Sequence, residues 1–339
     1  MNGPDSQQQQ MMQAAQGAML LQIAFVGVAN RLFEVLGEQA LTPTELAQAA
    51  QRDPGYVVRW CDAAIAFVLL VEEGGRVALS NLGRRMLLEA PGTLAPMAIQ
   101  TVLGGHMAER AATFMKSGER PGEKVLAERE SILPLFGPML ERQFGPLFES
   151  VLLPGFDWLP EIAARGGVVA DLGCGNGWYL RKIAQHHPGI RGLGLDGFDE
   201  NIRQATGRAA AEGLGDRLEF RHGDVHDLKP DEPVAMLAMN RALHHVWDRK
   251  ETLFPQIRDH LELGGWAVIW EPAWPGAERE RLLQPRYRGM AFQNLAEHIQ
   301  GNHFLTPDEI GFEFEQVGMQ PRMLRFADGA EAVVAAQKV

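Results

Sequence analysis

The stretch Asp171-Leu172-Gly173-Cys174-Gly175-Asn176-Gly177 joins a short apolar run, Val168-Val169-Ala170, to Trp178-Tyr179-Leu180-Arg181-Lys182-Ile183-Ala184. The first run predicts a buried parallel strand and the last predicts the opening turns of a helix. Strand, glycine-rich turn and helix together form a nucleotide-type site. Glycines let the backbone approach a ligand where a Cβ would collide. The helix N-terminus offers N–H groups and a partial positive charge, which suit a carboxylate or phosphate. Asp171 at the strand tip argues against a phosphate. A carboxylate there suits a cationic or hydroxyl-rich ligand, such as an amino acid's ammonium group.

The following segments supply the strands that would position this turn. Arg191-Gly192-Leu193-Gly194-Leu195-Asp196 is a second apolar strand ending in an acid, 25 residues after Asp171. An acid at that spacing is the ribose-diol clamp of a Rossmann-like unit. Leu218 to Gly223 predicts a third strand, running into Asp224-Val225, and Val234 to Met239 a fourth, running into Asn240-Arg241-Ala242-Leu243-His244-His245. Trp266 to Trp270 predicts a fifth, ending in Glu271-Pro272, with Gly264-Gly265 as the turn from a preceding helix. Met323–Phe326 and Ala332–Ala336 complete a seven-stranded α/β sheet with a terminal hairpin.

This set of motifs resembles the class I S-adenosylmethionine-dependent methyltransferases over about residues 160–339. The resemblance implies that the loop containing Asp171, Gly173, Cys174, Gly175 and Gly177 holds the methionine moiety of S-adenosylmethionine. It places Asp196, with Gly197 and Asn201, at the ribose, and Gly223, Asp224 and Val225 at the adenine. Asn240 and Arg241 would lie near the methyl donor. The domain would span residues 161–339.

The rest of the 339-residue chain is long enough for a second domain. Apolar content of 46% and charged content of 22% describe an ordinary globular protein. Cys61 and Cys174 form no disulfide framework, and the polar, glutamine-rich start lacks a basic leader, so a cytoplasmic protein is expected. The apolar stretch Ala18 to Ala29 is interrupted by Gln22 and reads as too short to span a bilayer.

Residues 5–36 predict one helix, apolar on every face in its second half, as in a helix buried against a partner chain. Thr42-Pro43-Thr44-Glu45 is a capping-box helix start, and Asp53-Pro54 starts another helix to about Leu70. Val71 to Leu79 predicts a hairpin around Gly74-Gly75. Three helices and a hairpin make a winged helix, here within residues 1–90. A DNA reader needs basic side chains on its recognition helix. Residues 1–90 instead carry six Arg or Lys against nine Asp or Glu, and the whole chain has a net charge of −11. Neither nucleic acid nor membrane is an expected partner. The segment resembles the N-terminal dimerisation domain of small-molecule O- and C-methyltransferases. That resemblance implies an intertwined homodimer whose N-terminal domain helps wall the substrate pocket.

Residues 91–160 predict a helical connector, with Gly118 to Gly122 as a linker. Phe136-Gly137-Pro138 and Phe144-Gly145-Pro146 read as two helix starts or kinks, or as part of a lid in which Met139, Phe144, Phe148 and Phe156 roof the substrate.

In the O-methyltransferases the loop after the fourth strand carries the general base, and His244 matches its position. His245 stands where the family has Asp, and Trp247 comes one place late. Histidine removes protons effectively near neutral pH. Glu271 would orient His244 or bind substrate. The segment 286–307 is dense in polar groups on a helical pattern. The related enzymes place substrate contacts there, which implies Met290, Phe292, Asn294, Glu297, His298, Asn302 and His303, with His245, for the small-molecule acceptor. The plan is also similar to that of the α-keto-acid C-methyltransferases. They hold iron with one histidine after the fourth strand and one in the late helix, positions matched by His244 and His298. Aspartates beside those histidines are His245 and Ile299 here. A two-histidine metal site and a metal-free pocket with His298 as a hydrogen-bond partner both remain open on these residues.

Overall fold

The computed structural model describes residues 4–122, 125, 128 and 133–339, and divides them into two compact units. The first comprises residues 1–109 and 129–142, the second 110–128 and 143–339. Segment 91–160 is thus shared between them. Residues 123, 124, 126, 127 and 129–132 of the expected connector lie outside the described residues.

In the first unit the expected single helix is two: α1 (Pro4–Ala29) and α2 (Leu32–Leu36). Arg31 between them takes a left-handed φ of 57°, which no α-helix continues through. Gly27 explains the tight packing at this corner, since a Cβ there would lie 2.4 Å from the Phe33 ring. Ala24 and Val28 are buried, but Met11, Met12, Met19 and Val26 are exposed, so α1 is not buried all round within the chain. By length and composition Ser6–Ala29 is long and apolar enough to cross a bilayer, longer than the stretch read from sequence.

Helix α3 (Pro43–Ala50) begins with the expected capping box: Glu45 N–H donates to Thr42 Oγ1, and Thr42 N–H donates to Glu45 Oε2. Asp53 caps α4 (Pro54–Ala66), which stops four residues before the expected end. Strands β1 (Leu70–Glu73) and β2 (Arg76–Leu79) form the antiparallel hairpin, with both turn glycines at positive φ. Helices α5 (Asn81–Arg84) and α6 (Ala95–Phe114) follow. Met139 packs in this unit's core with Trp60 and Ile99, so the expected roofing role does not hold for it. Both Phe-Gly-Pro triplets lie inside one helix, α7 (Leu133–Leu147), and neither starts a helix.

The second unit is built on a seven-stranded sheet of order β5-β4-β3-β6-β7-β9-β8. The strands are β3 (Val168–Leu172), β4 (Arg191–Asp196), β5 (Leu218–His222), β6 (Val234–Asn240), β7 (Leu261–Pro272), β8 (Gln320–Phe326) and β9 (Glu331–Gln337). The first five pair in parallel, while β9 runs antiparallel between β7 and β8. Strands β3 and β6 are buried almost throughout, as parallel strands covered on both faces must be. Gly264-Gly265 lies inside β7 and is not a helix-to-strand turn, because the preceding helix already ends at His260.

Two glycines give opposite expectations. A Cβ on Gly189 would sit 2.0 Å from the Ala163 carbonyl oxygen, whereas one on Gly207, inside a helix, meets nothing within 4 Å. Gly189→Ala should lower stability by about 1–3 kcal/mol. Gly207→Ala should raise it by about 0.5–1 kcal/mol. Denaturant unfolding of the two variants beside the wild type checks both signs.

Candidate active site at the carboxyl edge of the sheet

Strand order reverses between β3 and β6, and in open α/β sheets ligands bind outside the strand ends at such a point. The structure brings Asp171 and Asn240 together there. Asn240 Nδ2 donates to Asp171 Oδ1 at 3.0 Å. Asn240 Oδ1 and the Tyr179 hydroxyl are buried and, among the described residues, have no hydrogen-bond partner. Burial pushes the Asp171 carboxyl up to about 8, against the Asn240 hydrogen bond and with added repulsion from Asp196. The Tyr179 phenol is raised by burial and by Asp171. A buried acid with two unsatisfied polar neighbours suits a ligand that brings its own cation or hydrogen-bond donors.

The loop above β3 has left-handed backbone at Gly173, Gly175 and Gly177. A Cβ on Gly173 would lie 2.6 Å from Ala242 Cβ, and one on Gly177 2.6 Å from the Phe220 ring. Side chains are thus disfavoured by conformation and space at Gly173 and Gly177, and by conformation alone at Gly175. Cys174 is buried in this loop. Asp196 at the end of β4 is committed to backbone: Oδ2 accepts from Gly175 N at 2.9 Å, and Oδ1 accepts from Phe198 N and from Asn201 Nδ2. A carboxylate offers about four lone-pair sites, so one, on Oδ2, remains for a ligand hydroxyl. Gly223 N–H donates to the Asp196 carbonyl, and the Gly197 carbonyl lies 2.9 Å from His222 Nε2, so both glycines frame the acid. Asp224 is exposed and caps the short turn beginning at Val225, which packs partly against the sheet core.

The second half of the site lies beyond β6 and β7. Arg241 turns the chain with a φ of 55°, and its side chain is held by Glu331 at 2.9 and 2.8 Å. Its guanidinium lies 4.3 Å from the Phe144 ring centroid. The next residues form a short 3-10 turn, Leu243–His245. Glu271, fully inside the protein on β7, holds this turn: Oε1 accepts from Leu243 N at 2.8 Å, and Oε2 lies 2.7 Å from His244 Nδ1. Burial alone would raise the Glu271 carboxyl. The His244 ring outweighs that, helped by Arg241 and His245, and holds it below its ordinary range. With Nδ1 engaged, His244 presents Nε2, which stands 3.8 Å from Glu297 Oε2.

Glu297 lies on α8 (Pro285–Ile299), where Gln300 Nε2 donates to it at 3.0 Å. His298, one residue on, is exposed: successive residues point about 100° apart around a helix, so only one of the two faces His244. The expected pairing of His244 with His298 is therefore replaced by one with Glu297. His245 lies beside His244, with Asn302 Nδ2 at 2.8 Å from its Nδ1. Several expected substrate contacts do not join them. Phe292 is 43% exposed, and His303 is also exposed. Asn294 accepts from Phe304 N at 2.7 Å and serves the backbone. Phe148 is fully buried against Phe156, Trp178 and Tyr179. Met290 packs with Tyr287 and Phe304. Sequence reading missed Glu331 and Tyr179. Glu331 is 90 residues from its partner, with no local pattern to mark it.

Residues 169–265 match the family described as a methyltransferase domain. This stretch, which holds the glycine loop and the turn after β6, is thus similar to methyltransferase domains. Among curated proteins, a trans-aconitate 2-methyltransferase of Streptomyces avermitilis is 31% identical over 126 residues, covering 37% of this chain and 46% of the relative. The methyltransferase ungE' of Aspergillus campestris is 27% identical over 152 residues, covering 44% and 42%. The chain thus spans less than half the length of these relatives. Solved structures extend the likeness to the whole chain. An O-methyltransferase family protein from Burkholderia thailandensis matches at TM-score 0.72 and 18% identity, covering 100% of this chain and 98% of its own. Human N-acetylserotonin methyltransferase in complex with SAM matches at 0.71 and 18%, covering 100% of both. At such identity these structures establish the fold of this chain alone.

The raised Asp171 carboxyl has a consequence for the ligand-free protein. A group that holds its proton more tightly when folded gives stability that is full below its ordinary value of 3.8. That stability is lost as pH rises to about 8. Between pH 5 and pH 8 the wild type should therefore lose up to about 4 kcal/mol more than Asp171→Asn. Unfolding curves of both proteins at the two pH values measure it.

Proposed function

We propose that this protein transfers a methyl group from S-adenosylmethionine to a small-molecule acceptor, with His244 as the base that takes the acceptor's proton. The observation that carries this reading is the buried 2.7 Å contact between His244 and Glu271 at the sheet edge that also holds the Gly173–Gly177 loop. S-adenosylmethionine, when bound, supplies an electrophilic methyl group on a sulfonium. The Gly173–Gly177 backbone and Asp171 would hold its amino-acid end, and Asp196 a ribose hydroxyl. Asp224 and Val225 would border the adenine. Glu271 fixes the tautomer of His244, with the proton on Nδ1 and the lone pair on Nε2, and stabilises the imidazolium that forms. The transfer needs alignment and proton removal more than electrophilic assistance, which is why one oriented imidazole suffices.

The trans-aconitate relatives are named for a polycarboxylate substrate. Here Glu271 and Glu297 flank His244, and a polyanion would meet like charge at the point of reaction. The acceptor is therefore better taken as neutral or cationic. The N-terminal unit is read as a winged-helix dimerisation domain. The exposed Met11, Met12, Met19 and Val26 of α1 offer an apolar surface for a second copy, in a cytoplasmic homodimer.

Calorimetric titration with S-adenosylmethionine tests the donor site: affinity should collapse in Asp196→Ala, and an unchanged affinity would refute the assignment. An acceptor screen with labelled donor tests the chemistry. On the acceptor it identifies, His244→Ala should reduce kcat by about 10²–10⁴-fold with donor affinity retained. Glu271→Gln should fall in the same direction.

A further inference from the structure

We infer that His244, His245 and Glu297 form a binding site for one first-row divalent cation. The three offer ligand atoms that all lie within 4.8 Å of one another. Two imidazoles and one carboxylate bind zinc or ferrous iron and leave positions open for other ligands.

The spacing favours an ion over the alternatives. His244 Nε2 and Glu297 Oε2 are 3.8 Å apart, too far for a hydrogen bond. A water bridging them would hold them about 4.5 Å apart at a normal angle. Donors at about 2.1 Å from one ion reach any separation up to about 4.2 Å, so this gap lies within that span, and the pairs involving His245, within 4.8 Å, would close by at most about 0.6 Å on binding.

Each candidate ligand is also held by a residue outside the triad. Glu271 Oε2 lies 2.7 Å from His244 Nδ1, Asn302 Nδ2 lies 2.8 Å from His245 Nδ1, and Gln300 Nε2 donates to Glu297 at 3.0 Å. Such outer partners fix ring orientation and ligand basicity at metal centres. An imidazole engaged at Nδ1 coordinates through Nε2. At His245 the carboxamide of Asn302 would then present its oxygen, which needs only an amide rotation. An ion and a proton are alternatives at His244 Nε2. The loaded protein would therefore polarise an acceptor oxygen through the cation, and the metal-free protein would use His244 as the base.

The test uses chelator-treated full-length protein without donor or acceptor, titrated with Zn²⁺ by calorimetry and with Co²⁺ by visible absorption. One ion per chain is expected, with d–d bands of a nitrogen- and oxygen-ligated cobalt. Affinity should fall at least about 10-fold in His245→Ala and in Glu297→Gln, and about 10–100-fold in Asn302→Ala, which removes no ligand. His298→Ala should bind as the wild type does. Circular dichroism of each variant separates loss of the site from loss of the fold. Absence of stoichiometric binding, or binding that survives both His245→Ala and Glu297→Gln, overturns the site. The inference shares His244 with the proposed function, but donor titration of the same samples separates the two. Donor binding without ion binding defeats only the metal site, and ion binding without donor binding defeats only the donor assignment.

Discussion

The site rests on one constraint: four carboxyl groups, Asp171, Asp196, Glu271 and Glu297, are buried along one edge of the sheet. Burying a carboxylate costs several kcal/mol unless it is paired, hydrogen-bonded or protonated. Each group meets that demand differently. Burial raises the Asp171 carboxyl toward its protonated form, and Asp196 is surrounded by two backbone N–H groups and an amide. Glu271 has an imidazole and a backbone N–H, while Glu297 has the amide of Gln300. The glycine loop, the turn after β6 and the end of α8 are shaped by these obligations as much as by any ligand.

The turn after β6 shows how rigidly this is done. Arg241 adopts a backbone conformation that costs on the order of 1 kcal/mol for a residue with a side chain. It persists because both ends are fixed: Arg241 N–H donates to the Trp270 carbonyl at 2.7 Å, and Glu331 receives both the guanidinium and the Trp270 indole N–H. One strained residue thus aims the following turn, and Glu271 catches its first N–H. The position of His244 is set by β6, β7 and β9 together rather than by the loop alone.

Local chemistry made much of this readable in the sequence. The glycines, Asp171 and Asp196 stand at spacings dictated by strand length and turn geometry, and the capping box at Thr42 is a four-residue signal. What sequence did not disclose are choices of face and of distant partner. Glu297 and His298 are adjacent polar residues on one helix, and only packing of Tyr287, Met290 and Phe304 decides which of them turns inward. Phe148 looked like a pocket aromatic because an apolar ring in a core and one in a lid have the same composition. The break at Arg31 was hidden because nothing in its residue type forbids a helix.

The placement of β9 between β7 and β8 bears on how the chain reaches this state. Strand β8 precedes β9 in sequence but, among the described residues, pairs with the sheet only through it. Until β9 pairs, β7 is an open edge and β8 has no partner, so the strand carrying Glu271 must wait uncovered during synthesis. Insertion of β9 then closes the edge and delivers Glu331 to Arg241 in the same event. Fixing of the turn after β6 is thereby tied to the pairing of β9, and a chain in which β9 is unpaired would expose an aggregation-prone edge.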